Sequence, residues 1–170
     1  MHEQRRLRAD PNDCARGLAR HFTTRAWDLV EHRTLTPPER AEVVDAARAA
    51  RALTRLADGS PDGAAMLRAH QLVAIAAWKA DDSVAAFEGV RLARGCEWAR
   101  SRELTATDDA MTLAAEYLAS LTRPGFTDPE PLMSSIPALP AEVRERLGRI
   151  LHWPRERFAA GEATEKHALA

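Results

Sequence analysis

The chain has 170 residues, the length of one domain and enough to bury a real core. Hydrophobic residues make up 45% of it and aromatics only 5%, with alanine the commonest type, which favours helix and argues against all-β and doubly wound α/β folds. Lys and Arg (24) balance Asp and Glu (25), so no overall basic footprint for nucleic acid exists. Residues 1–12 are basic and flexible by composition, and no apolar run follows them as it would in a secretory signal. No stretch reaches 18 uncharged apolar residues, so no transmembrane span is expected and the chain reads as cytoplasmic. Cys14 and Cys96, far apart and outside any CxxC, read as small buried hydrophobes in a reducing compartment.

Residues 13–122 read as an array of helices. Asp13 caps a first helix with Cys14, Leu18, Phe22, Ala26, Leu29 and Val30 on one stripe. Thr36-Pro37-Pro38-Glu39 opens a second: a threonine cap, proline at the first position and a glutamate reaching back to the cap. Its stripe is Val43, Val44, Ala47, Ala50, Leu53 and Leu56, and Asp58-Gly59 stops it. Ser60-Pro61 starts helix three, with Met66, Ala69, Val73, Ala76 and Ala77 along one side. Asp81-Asp82-Ser83 turns into helix four, where Val84, Phe87 and Val90 face inward. Thr107-Asp108-Asp109 caps helix five, whose apolar face is Met111, Ala114, Tyr117, Leu118 and Leu121.

Short connections make successive helices antiparallel neighbours. Six of the ten prolines lie beyond Leu121, so 123–139 reads as a proline-rich connection. Residues 140–160 hold a C-terminal helix, over about 140 to 152, that caps the open end of the array, and 161–170 is a frayed tail. The expected fold is all-α: five stacked helices in antiparallel hairpins plus the capping helix.

Two registers repeat at 40 residues. Ala86, Val90 and Ala93 echo Ala46, Ala50 and Leu53, and Leu113-Ala114-x-x-Tyr117 echoes Val73-Ala74-x-x-Ala77. On these residues the chain resembles the tetratricopeptide-like family, with alanine for the usual glycine at 114 and valine for the usual aromatic at 90. The run from Ala26-Trp27-Asp28-Leu29-Val30-Glu31 through Thr36-Pro37-Pro38-Glu39 looks more narrowly like small actinobacterial members. The chain departs from the family in its period, 40 rather than 34, and in lacking a closing proline in each repeat. The resemblance implies a non-enzymatic adaptor that binds a protein or peptide in a concave groove lined by the first helix of each hairpin.

In helix three the inward, non-core positions that this implies are Arg68, Gln71, Ile75, Trp78 and Lys79. In helix five they are Asp108 and Met111, followed by Ala115, Leu118 and Ala119. Arg68 and Lys79 suit carboxylates on a peptide and Trp78 a rigid aromatic anchor. The alternative is a small-molecule binder or enzyme whose pocket lies between the hairpins and the C-terminal segment, with His70, Glu97 or Tyr117 pointing in.

Other chemistry finds less support. Asp81-Asp82 and Asp108-Asp109 sit at helix starts, where carboxylates serve free amides, and lack the third aspartate of a magnesium motif. Arg16 with His21 and Arg25 with His32 match spacings in the small all-α HEPN ribonucleases, a third reading. His70 reads as a core histidine, and Glu97-Trp98 and His152-Trp153-Pro154 as seam-closing tips. No phosphate loop, nucleophile elbow or metal spacing is visible, so no cofactor and no metal are expected.

Overall fold

The structure, a computed structural model, describes residues 10–32, 34–58, 63–122 and 129–151. Among these residues every regular element is helical: α1 (Pro11–Glu31), α2 (Pro37–Asp58), α3 (Ala64–Lys79), α4 (Ser83–Gly95), α5 (Ala106–Ser120), α6 (Glu130–Ser135) and α7 (Ala141–Leu151). Short 3-10 turns cover Glu97–Arg100 and Ile136–Ala138. The fold class is all-α. The Gly59 stop, the Ser60-Pro61 start, His152-Trp153-Pro154 and the 161–170 tail lie outside the described residues.

Several starts follow the local rules. At α2, Glu39 Oε2 accepts from the Thr36 amide at 2.8 Å and from Thr36 Oγ1 at 2.7 Å, drawing the carboxylate back over the first turn. At α4, the Asp82 carboxylate accepts from the Ala85 amide at 3.0 Å. Asp81 makes the reversal between α3 and α4 with φ of 64°, a conformation a short polar side chain tolerates better than most. Two starts move. Asp10, not Asp13, caps α1, because Pro11 fits the first helical position and Asn12 donates its amide to Asp10. Thr105, not Thr107, caps α5: its Oγ1 accepts the Asp108 amide at 3.1 Å. That leaves Asp108 in the first turn with a carboxylate free for other work.

α3 is the centre, packed on α1, α2, α4 and α5. Eleven of its sixteen residues are buried, so it is covered nearly all round rather than along one stripe. Its closest neighbour is α4. A Cβ on Gly89 would stand 2.7 Å from the Ala74 amide nitrogen, so the two backbones nearly touch. This approach turns the small residues Ala85, Ala86, Gly89 and Ala93 inward and leaves Val84, expected inside, 78% exposed. Leu18, Leu56 and Leu121 are likewise exposed stripe residues. Cys96 is buried, whereas Cys14 is exposed on the first turn of α1.

The proline-rich connection contains α6, which packs on α5 and buries Leu132. α7 is a helix where one is expected, but it packs on α1 as well as α5, reaching back across the molecule instead of covering only its last helix. Leu147 and Ile150 are its fully buried anchors.

Candidate functional site

The face made by α1, α3 and α5, with α7 above it, encloses a groove of about 620 Å³. α1 contributes Arg20, Thr23 and Trp27, at the three- and four-residue steps that share one helix face. α3 contributes Arg68, Gln71 and Leu72 by the same spacing, and α5 contributes Asp108 and Met111. From α7 come Val143 and a charged rim of Glu142, Glu145, Arg146 and Arg149.

The floor is a closed hydrogen-bond network. Buried Gln71 donates through Nε2 to the Asp108 carbonyl at 2.7 Å and to Thr112 Oγ1 at 2.8 Å, and Thr112 Oγ1 donates to the same carbonyl at 2.9 Å. The Asp108 carboxylate, itself buried, accepts from Arg68 Nε at 2.7 Å, from Arg68 Nη2 at 3.2 Å and from Thr105 Oγ1 at 2.8 Å. Burial pushes this carboxyl up, but the bonds from Arg68 and Thr105 outweigh burial and hold it below its ordinary value. The bond to Asp108 in turn raises the Arg68 guanidinium, whose side chain remains 60% exposed to the groove. The pair therefore fixes the guanidinium plane through Nε and Nη2, with Nη1 outside both bonds.

The roof is held by a different device. Glu31 of α1 accepts from Arg146 Nε at 3.0 Å and from Arg149 Nε at 2.8 Å, and the Arg146 guanidinium sits 5.3 Å from the centre of the Trp27 ring. With Arg68, Arg146 and Arg149 engaged, Arg20 is the lining cation with no ion pair among the described residues.

The chain matches no protein-family model, no curated protein and no solved structure. Its site must be read from its own geometry.

Of the groove positions anticipated from sequence, the structure brings together Arg68, Gln71, Asp108 and Met111. Ile75 is not among them: it is fully buried in the main core. Trp78 is half-buried where two hydrophobic clusters meet, and Lys79 lies 5.9 Å from its ring, its pKa lowered by burial. The shift has a simple cause. Because α3 is surrounded, only its residues up to Leu72 reach the groove. Ala115, Leu118 and Ala119 are core for the same reason.

The alternative trio does not converge either. His70 lines a separate cleft, Glu97 is exposed on a 3-10 turn, and Tyr117 is half-buried against the main core. Both arginines of the ribonuclease-like spacings are held by carboxylates, Arg16 by Asp13 at 2.8 Å and Arg25 by Glu42 at 2.7 and 3.0 Å. Among the described residues no three His, Cys, Asp or Glu side chains gather as a metal site, and no helix is long and apolar enough to cross a membrane. The reading from sequence missed Arg20, Thr23 and Trp27. Their spacing along α1 was visible, but nothing distinguished that face from an ordinary solvated edge.

Proposed function

We propose that the chain is a non-catalytic, tetratricopeptide-like binding protein whose groove takes an acidic peptide segment of a partner protein. The observation that carries this reading is Arg20, without an ion pair among the described residues, in one groove with the largely exposed Arg68 and the apolar residues Trp27, Leu72 and Met111. Two guanidinium groups in a groove with apolar lining suit a carboxylate side chain followed by an apolar one. The packing order supports the family reading, since α1 lies against α3 and α3 against α5, so that first helices of successive hairpins stand side by side.

A displayed library of random peptides tests it, with wild type and Arg20→Glu as baits. Recovered peptides are expected to carry Asp or Glu beside an apolar residue and to bind the variant about tenfold more weakly. Peptides without an acidic residue, equal affinity for the variant, or no recovered peptide would overturn the proposal.

A second reading has its own support. Because α7 covers the groove, about 620 Å³ remains, the size of a small-molecule pocket. Native mass spectrometry of the purified chain separates the two, since a retained small ligand would appear as a discrete mass increment that Arg20→Glu abolishes.

A further inference from the structure

A second cleft opens on a different part of the molecule, between α2 and α4, with α3 beneath it. Its volume is about 850 Å³. Arg51 and Arg55 reach it from one face of α2, four residues apart, and Arg91 reaches it from α4. None of the three has an ion pair among the described residues, and Glu88 is the single carboxylate on the lining. Seven of the fifteen described arginines have no ion pair among those residues, and these three of the seven share one cleft. Arg16, Arg25, Arg40, Arg48, Arg68, Arg94, Arg146 and Arg149 are all engaged by carboxylates.

Apart from His70, the rest of the lining is apolar. Met66 is buried, Leu92 is half-buried, and Leu56 projects into solvent at 70% exposure. An exposed leucine costs little by itself. On one cleft with three guanidinium groups, it adds apolar surface to an excess of positive charge, and like charges held together in one concavity raise its affinity for anions.

We propose that this cleft is a second binding site, for a small anionic amphiphile: an oxyanion head held by Arg51, Arg55 and Arg91, and an apolar stem laid on Leu56, Met66 and Leu92. Charge complementarity selects the head, and the volume is that of a small-molecule site. Bidentate N–H donation makes arginine suited to carboxylate and phosphate heads alike. The site is independent of the groove, sharing no lining residue with it.

Calorimetric titration of the full chain tests this with three probes below their micellar range: decyl phosphate, inorganic phosphate and decyltrimethylammonium. Decyl phosphate is expected to bind at one site per chain, inorganic phosphate at least about tenfold more weakly, and the cation not at all. Arg55→Glu with Arg91→Glu should weaken decyl phosphate by about a hundredfold, while Arg20→Glu leaves it unchanged. Both substituted residues are exposed, and a thermal melt checks that the variant stays folded. Three results would overturn the proposal: equal binding of the cation, unaltered affinity in the folded double variant, or tighter binding of an acidic helical peptide than of decyl phosphate. The last would give the cleft to a protein partner.

Discussion

Two seams of this molecule are built by opposite means. Between α3 and α4 the backbones approach closely at the crossing of Gly89 over Ala74, and the buried residues of α4 there are alanine and glycine. Between α7 and α1 the helices are tied by long side chains, with Glu31 gripping two arginines and Trp27 under one of them. A seam of the first kind loses close contact at once when it opens, and the unfilled space has no compensation. One of the second kind can part with its charges rehydrated, at modest cost. α3, which carries part of the groove floor, is thus fixed by α4, while the roof can part, which suits a site that must admit ligands through one side.

The sharpest way to break that comparison is at Gly89. Alanine in a helix interior normally gains up to about 1 kcal/mol over glycine. At Gly89 the new Cβ would meet the Ala74 amide nitrogen at 2.7 Å and its Cα at 2.8 Å, backbone atoms that cannot rotate away. Gly89→Ala is expected to destabilise the fold by about 2 to 3 kcal/mol through overpacking. Gly17→Ala, where nothing lies within 4 Å, is expected to stabilise it by about 0.5 kcal/mol or more. Urea melts of both variants check the pair. If Gly89→Ala also stabilises, α3 and α4 are not in close contact and the rigid floor is lost.

Next in size is Asp108, which links the rigid floor to the ligand face. Asp108→Asn keeps the shape but removes the charge that orients Arg68. A loss of about 1 to 2 kcal/mol is expected, held down because Arg68 is largely exposed and can be hydrated. Since the folded carboxyl titrates below its ordinary value near 3.8, its contribution is full at neutral pH and is lost as pH falls through the folded value. The stability difference between wild type and variant should shrink below about pH 3.8, and a difference that grows on acidification would contradict the assignment.

How much of this was readable beforehand depended on the range of the interaction. Thr36 and Glu39, or Asp82 before α4, are local rules and stood where spacing placed them. Of the residues expected inward on α4, Phe87 and Val90 pack partly buried against the core, but Val84 does not. At a close crossing size no longer guides burial, and Gly89 is inside while Val84 is out. α6 was hidden by its prolines, though Pro131 sits in the first turn, where a missing amide does no harm. Within the groove, Arg68 with Asp108 could be nominated 40 residues apart because a repeat carried the register. α7 belongs to no repeat, so neither its seat on α1 nor the part played by Arg20 and Trp27 had any signal in the chain.

The smallest expected effect probes the adjustable roof. Glu31→Gln retains the side chain's size but removes the negative charge and one of the two acceptor oxygens that hold Arg146 and Arg149, in a seam where the arginines are about half exposed. Partial hydration limits the cost to about 1 kcal/mol. That loss should be local. Amide exchange across residues 141–151 is expected to rise about fivefold, the factor that 1 kcal/mol gives, while α3 keeps its protection. Leu147 and Ile150 remain to hold the helix in place, so α7 should loosen rather than leave. If exchange rises equally in α3, the two seams open together and the contrast between a fixed floor and an adjustable roof fails. If α7 alone responds, the same variant should also speed ligand entry into the groove, because the charges that tie the roof to α1 are those that stand at its mouth.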